Sequence, residues 1–106
     1  MKMYIAVLDG VPDHMVPVLV AHAVLGAHMA FEDKYLYTQW LKHSFKKVVV
    51  RVNQKEFDKI TKLDTDVYLA HENTTLGGAK SCAVVLPQER PEVFNVLHFA
   101  KLWSPK

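Results

Sequence analysis

Apolar positions along the chain form four short runs that predict strands. Each run is continuous or rich in β-branched residues and ends at residues typical of turns. The four runs span residues 4–8, 48–52, 67–70 and 81–86. The first run is apolar throughout, which is typical of a strand covered on both faces. A polar loop with two glycines separates the last two runs, and we expect these to pair as a hairpin.

The segment after the first strand carries apolar residues at helical spacing. Asp13 is placed to cap a helix that runs to about Phe31, and this helix is apolar on nearly every side. We therefore expect it to be sandwiched between other elements rather than half exposed. A second, shorter helix is predicted on the surface over residues 34–43.

Two further helices are predicted, one after the second strand and one after the fourth. Asn53 and Glu56 match a capping box with Asn in the place of Ser, and the apolar residues that follow recur at helical spacing. Pro91 suits the first turn of a terminal helix that continues to about Ala100.

The resulting order, β-α-α-β-α-β-β-α, predicts one α/β domain over residues 1–106. Parallel strands need helical crossovers and antiparallel strands need only a loop, so we expect a four-stranded mixed β-sheet with helices on both faces. Ligands of such sheets gather at the carboxyl ends of the parallel strands. In this chain those ends lead to Asp9, to Asn53 and to the loop that begins at His71.

Composition and charge narrow the classes of function. The hydrophobic share is 50%, with only four Gly and five Pro, which favours a packed domain over a disordered chain. The net charge of +2 is too small to predict nucleic-acid binding from the total field. The densest basic run, residues 42–47, is either a solvated strand entrance or a patch that meets phosphates.

The single cysteine, Cys82, has no partner for an internal disulfide and argues for a reducing compartment. The first apolar run is too short for a signal peptide, and residues 15–31 fall short of the ~20 residues that span a bilayer. We therefore expect a cytoplasmic protein with no membrane partner. None of the six histidines stands at a metal-binding spacing, so we predict no metal site and no cofactor.

Two regions carry candidate chemistry. His22 lies within the apolar helix, where an imidazole needs a hydrogen-bond partner in the core or a cleft to face. The loop over residues 71–81 is the most polar part of the chain. Its glycines either let backbone amides approach a ligand or serve only a hairpin turn.

The motif AHAVLGA at residues 21–27, the opening strand and the later strand-loop-strand resemble the type 2 peptidyl-tRNA hydrolases. The likeness covers most of the chain and implies the fold of that family. It places His22 at the motif histidine, Glu72 at an aspartate and Ser81 at a functional threonine. The chain is also similar to a diverged bacterial subgroup that keeps this fold without the full set of active residues.

The resemblance implies hydrolysis of an ester bond in peptidyl-tRNA or in a related acyl substrate. His22 and Glu72 are the predicted catalytic pair and would polarise water. No nucleophile elbow is present in the sequence, so direct attack by water is expected rather than an acyl-enzyme. The predicted substrate-binding residues are Asn73, Thr74, Thr75, Gly78, Lys80 and Ser81.

An alternative function is a non-catalytic binding or regulatory module that keeps the fold and the cleft. Asp13-His14-Met15 stands where the family has a lysine-rich segment, and this difference motivates the alternative. The expected partner is tRNA or a small acyl or phosphate-bearing ligand. We also expect a homodimer, although core packing explains most of its candidate aromatic contacts more simply. These are Trp40, Phe94, Phe99 and Trp103.

Overall fold

The computed structural model describes residues 1–72, 79–91 and 94–106, with Glu72 and Ala79 described by their backbone. A short 3₁₀ turn, Asp13–Met15, precedes the first helix. The strands and α-helices are β1 (Lys2–Leu8), α1 (Val16–Phe31), α2 (Tyr35–His43), β2 (Lys46–Val52), α3 (Gln54–Thr61), β3 (Val67–Glu72), β4 (Ala79–Val85), α4 (Asn95–His98) and β5 (Lys101–Leu102).

The strands form one mixed sheet in the order β3-β4-β1-β2-β5. β1 and β2 are parallel, β4 runs antiparallel to both β1 and β3, and β5 runs antiparallel to β2. The predicted α/β class and mixed sheet are therefore confirmed, as is the antiparallel pairing of the third and fourth strands.

The described sheet has five strands, so the predicted count of four is wrong. α4 ends at His98, and the chain then returns along β2, where Lys101 lies opposite Arg51. The backbone N–H of Trp103 extends this contact by donating to the carbonyl of Val49 at 2.9 Å. The pairing satisfies the open edge of β2. A two-residue strand has no periodicity that a sequence pattern could reveal.

Helices cover both faces of the sheet, as predicted. Alternate residues of β1 point to opposite faces, and residues 3–7 are all buried. On one face Ile5 and Val7 pack in a core with α1 and α2. On the other face Tyr4 and Ala6 pack in a core with α3 and α4. The expectation that the first strand is covered on both sides is confirmed.

α1 is half exposed, so the prediction that it is sandwiched is wrong. Its core-facing residues include Leu19, Ala23 and Ala27, which are at most 3% exposed. The opposite side presents Val18, Leu25 and Met29, exposed by 57%, 63% and 71%. One sheet face buries one stripe of a helix, and no other described part of the chain covers the outer stripe.

Asp13 does not cap α1, in contrast to the prediction. The residue begins the 3₁₀ turn, and no side-chain hydrogen bond caps either that turn or α1. Its carboxylate accepts hydrogen bonds from Arg51 and from the backbone N–H of Lys106 instead. Charged partners that are distant in sequence have displaced the local cap.

The predicted capping box of α3 is confirmed. The side chain of Asn53 accepts from the backbone N–H of Glu56 at 2.8 Å, and the side chain of Glu56 accepts from that of Asn53 at 2.9 Å. The two reciprocal bonds satisfy two of the N–H groups that a helix start leaves unpaired. α3 therefore begins directly after the carboxyl end of β2.

Residues 13–31 form one helical stretch of 19 residues with a mean hydropathy of 1.5. In the described part of the chain, this is the one helix long and apolar enough to cross a membrane by length and composition. A core helix of a soluble protein and an N-terminal signal sequence meet the same two criteria. This property is therefore weak grounds for assigning a membrane location.

Candidate functional site

One edge of the sheet carries the strand ends that lead to the candidate residues of the sequence. β3 runs parallel to β1, because each is antiparallel to β4. The carboxyl ends of β1, β2 and β3 therefore lie at the same edge as the start of β4, and we call this the carboxyl edge. The strand termini that define it are Leu8, Val52, Glu72 and Ala79.

His22 is exposed on α1 and is not a core histidine. Four residues further on, Gly26 contacts Tyr68 of β3. α1 starts near the carboxyl end of β1 and runs back along the sheet, so residues before Gly26 lie towards the carboxyl end of β3. This arrangement directs the His22 segment of α1 towards the carboxyl edge.

The contact between α1 and β3 depends on the missing side chain of Gly26. A Cβ atom there would lie 2.2 Å from the hydroxyl oxygen of Tyr68 and within 2.6 Å of two ring carbons. Because no real Cβ tolerates such distances, either the ring or the helix must move. Gly26 thus permits the close approach that brings the His22 turn beside β3.

Gly26→Ala is expected to destabilise the fold by up to about 2 kcal/mol, because overpacking of about 1–3 kcal/mol exceeds the gain in helix propensity of about 1 kcal/mol. In a Tyr68→Ala background the ring is absent, and the same substitution is expected to stabilise by about 1 kcal/mol. Urea denaturation of the four proteins measures this reversal of sign. Equal effects in both backgrounds would show that Tyr68 is not the obstacle.

The remaining predicted residues divide into those the structure places and those it does not. Lys80 is exposed at the start of β4. Ser81 is 1% exposed, and its hydroxyl donates to the carbonyl of Ala70 at 3.4 Å. The residues outside the described part are Asn73, Thr74, Thr75 and Gly78, together with the side chain of Glu72. Their assigned roles stay predictions.

Cys82 lies beside the carboxyl edge, but its thiol is in an unreactive environment. Its side chain is fully buried in the core under α1. Burial raises the pKa of the thiol to about 11. The thiolate, which is the reactive form, is therefore disfavoured at neutral pH. The interpretation of Cys82 as a small hydrophobe is confirmed.

Sequence reasoning missed an ion-pair network at the carboxyl ends of β1 and β2. The guanidinium of Arg51 lies 3.4 Å from Asp9 and 3.1 Å from Asp13, and it donates to the carbonyl of Ser104 at 2.7 Å. The ammonium of Lys106 lies 2.8 Å from Asp9. The contacts of this network join residues that are 38 to 97 positions apart in sequence, so no local motif predicts them.

The network lowers the pKa of both aspartates. For Asp9, the main cause of the lowered pKa is a hydrogen bond from the side chain of Lys106. For Asp13, the main cause is a hydrogen bond from the backbone of Lys106, and the next is one from Arg51. Hydrogen bonds to the ionised form favour the carboxylate. The network therefore ties the described C-terminal segment to the carboxyl edge.

Acidification is expected to weaken the contacts that hold the C-terminal segment at the carboxyl edge. A carboxylate with a lowered pKa contributes stability above its ordinary value of 3.8, and the contribution is lost as the pH falls through the lower, folded value. The urea midpoint should therefore fall between about pH 5 and pH 2.5 more in the wild type than in an Asp9→Asn/Asp13→Asn variant. Asp64→Asn, at an exposed turn, is the matched control. Parallel pH profiles for all three would contradict the assignment.

A polar cleft of about 400 Å³ adjoins the network on the face that carries α3. Asn53, Glu56 and Lys101 line it, with the exposed ring of Phe99 at one side. The cleft presents both a cation and a carboxylate, so it has no single-sign field that would select an anion. The cleft therefore indicates the class of its ligand less clearly than the His22 side of the carboxyl edge does.

No group of three His, Cys, Asp or Glu side chains within residues 1–71, 80–91 and 94–106 is arranged to hold a metal ion. Comparison with known proteins gives no family either. No family model matches the chain, and no curated protein is similar enough to count as a match.

Proposed function

We propose that this protein hydrolyses an ester bond of peptidyl-tRNA or of a related acyl substrate at the carboxyl edge. His22 takes a proton from water, and the hydroxide formed attacks the ester carbonyl carbon. The bond to the leaving oxygen breaks, and that oxygen takes up a proton. Glu72, the last residue of β3, is the proposed carboxylate that assists His22. The products are a free carboxylic acid and a free hydroxyl group.

The observation that carries this proposal is the position of His22. It is an exposed imidazole on a helix whose neighbouring exposed positions are largely apolar, and its turn lies beside the strand that ends at Glu72. An imidazole that solvent reaches is accessible to water for proton transfer. Exposed Lys80, at the start of the paired strand, supplies a cation for a phosphate or a developing oxyanion.

In the part of the chain that the structure describes, two possible nucleophiles beside this edge are unsuited to forming an acyl-enzyme. Ser81 is buried and its hydroxyl is bound to Ala70, with no base among the described residues in contact with it. Cys82 is buried with a raised pKa. Covalent catalysis requires an accessible and activated nucleophile. Direct attack by water is therefore part of the proposal.

Mass spectrometry during turnover tests the proposal. N-acetyl-aminoacyl-tRNA is mixed with excess protein, and samples are analysed for free tRNA and for the mass of the intact protein. The proposal predicts that tRNA is released while the protein mass never changes. Absence of release overturns the hydrolase function, and a protein adduct with the mass of the acyl group overturns direct attack by water.

A second candidate function is binding without turnover, and the surroundings of His22 favour it. No described residue makes a hydrogen bond or ion pair with this imidazole. A catalytic base is normally oriented by a partner on its second nitrogen. Under this candidate, the protein binds intact N-acetyl-aminoacyl-tRNA, releases none of it, and loses affinity steeply as the salt concentration rises.

A further inference from the structure

A long apolar groove lies between α1 and α2. Its volume is about 520 Å³. Ala21, Leu25 and His28 line it from α1, and Trp40 and Leu41 line it from α2. Leu25 is 63% exposed and Leu41 is 39% exposed, although both are large apolar side chains. A surface of this kind marks an interaction site more often than a plain solvated face.

A continuous row of rings forms the floor of the groove. His28 contacts Tyr37 at 5.5 Å between centroids, Tyr37 contacts Trp40 at 5.4 Å, and Trp40 stacks on Phe45 at 5.3 Å. Phe45 has a φ of 64°, a conformation that costs a bulky residue of the order of 1 kcal/mol. The ring of Phe45 stands at the end of the row in spite of this backbone strain, and it is 56% exposed.

The two ends of the row carry opposite charge. At the first end Glu32 lies 3.8 Å from His28, and Asp33 follows it in the turn that joins α1 to α2. At the other end the ammonium of Lys47 lies 3.3 Å from the centroid of the Phe45 ring, and Lys42 is exposed in the last turn of α2. The groove is therefore acidic at one end and basic at the other.

We propose that the groove is a homodimer interface and that its occupant is α1 of a second copy of this chain, packed antiparallel. An antiparallel copy places the acidic end of each groove over the basic end of the other, so both charge contacts are attractive. The two-fold axis of such a pair passes near Leu25. A parallel copy would bring like charges together instead.

His22 lies at the margin of this interface rather than within it. His22 is about 60° around the helix from Leu25, on the side of Gly26 and β3, whereas the groove is on the side of α2. The dimer does not depend on the hydrolase function. Loss of dimerisation with activity retained, or the reverse, separates the two proposals.

Light scattering on a size-exclusion column gives the first test. The wild type is expected to have twice the 12.1 kDa mass of one chain at micromolar concentration. Leu25→Glu is expected to raise the dimer dissociation constant at least about 10-fold, because the two-fold axis brings the two new carboxylates together. Phe99→Glu, on the opposite face and 75% exposed in the wild type, is the control and should remain dimeric. Circular dichroism checks that each variant is folded.

Charge reversal gives the decisive test of the antiparallel arrangement. A Glu32→Lys/Asp33→Lys variant and a Lys42→Glu/Lys47→Glu variant should each dimerise at least about 10-fold more weakly than the wild type. An equimolar mixture of the two should recover a heterodimer, because unlike charges then meet at both contacts. A monomeric wild type overturns the proposal, as does wild-type binding to anionic vesicles in place of self-association. A mixture that remains monomeric also overturns it.

Discussion

Replacing His22 by alanine is expected to lower kcat/KM for peptidyl-tRNA hydrolysis by about 10²–10⁴-fold, the usual contribution of a positioned acid-base group. The substitution removes the only group proposed to take the proton from water. Because His22 is exposed and makes no described hydrogen bond, its loss should change the free energy of unfolding by no more than about 0.5 kcal/mol. Initial rates of tRNA release and urea denaturation measure the two effects.

His98→Ala is the matched control for this prediction. His98 is also an exposed helical histidine, but it lies at the end of α4 on the opposite face of the sheet. Its replacement should leave kcat/KM within about twofold of the wild type, since a group outside the site adds nothing to transition-state stabilisation. Equal rates for His22→Ala and the wild type would remove His22 from the mechanism.

Trp40→Ala is expected to destabilise the protein by about 3–5 kcal/mol, a large share of the 5–15 kcal/mol typical of a domain. The indole is 1% exposed and packs between the rings of Tyr37 and Phe45. Its N–H also donates to the carbonyl of Lys46 at 2.8 Å, which joins α2 to the start of β2. The substitution leaves a cavity and removes this bond.

Trp40→Phe separates the two contributions. It keeps most of the apolar volume and loses the hydrogen bond, which is worth about 1 kcal/mol. Phe99→Ala is the surface control, because its ring is 75% exposed and its loss should cost no more than about 0.5 kcal/mol. Chemical denaturation of the three variants ranks them. A similar cost for Trp40→Ala and Phe99→Ala would contradict the burial of the indole.

Local chemistry made the start of α3 and the first strand predictable. The capping box joins Asn53 to Glu56, only three residues apart, so both bonds follow from adjacent sequence. Residues 4–7 are buried because an uninterrupted apolar run suits a strand between two layers. Signals of this kind require no knowledge of the rest of the fold.

The exposure of α1 could not be read from its composition. Almost every position of the helix is apolar, so the sequence pattern does not distinguish Ala23, which is buried, from Leu25, which is exposed. The pattern predicted a helix covered on every side, but one sheet face covers only one stripe. The sequence therefore leaves open whether His22 meets a partner in the core or faces a cleft, and the structure exposes it.

Long-range contacts could not be predicted from the sequence, for a different reason. Arg51 reaches Asp9 and Asp13 because the parallel pairing of β1 with β2 brings the strand ends together, and nothing near Arg51 in sequence marks this. Lys101 and Leu102 become a strand only because β2 offers an open edge. Such features follow from the assembled sheet and not from a local pattern.

Chemical-shift mapping tests whether the substrate binds at the carboxyl edge. Isotope-labelled protein would be titrated with a peptidyl-adenosine analogue in which an amide replaces the cleavable ester. We expect the largest shift changes at the carboxyl edge, at His22, Gly26, Ala70 and Lys80. Changes confined to the groove between α1 and α2, or to the polar cleft beside α3, would contradict this expectation.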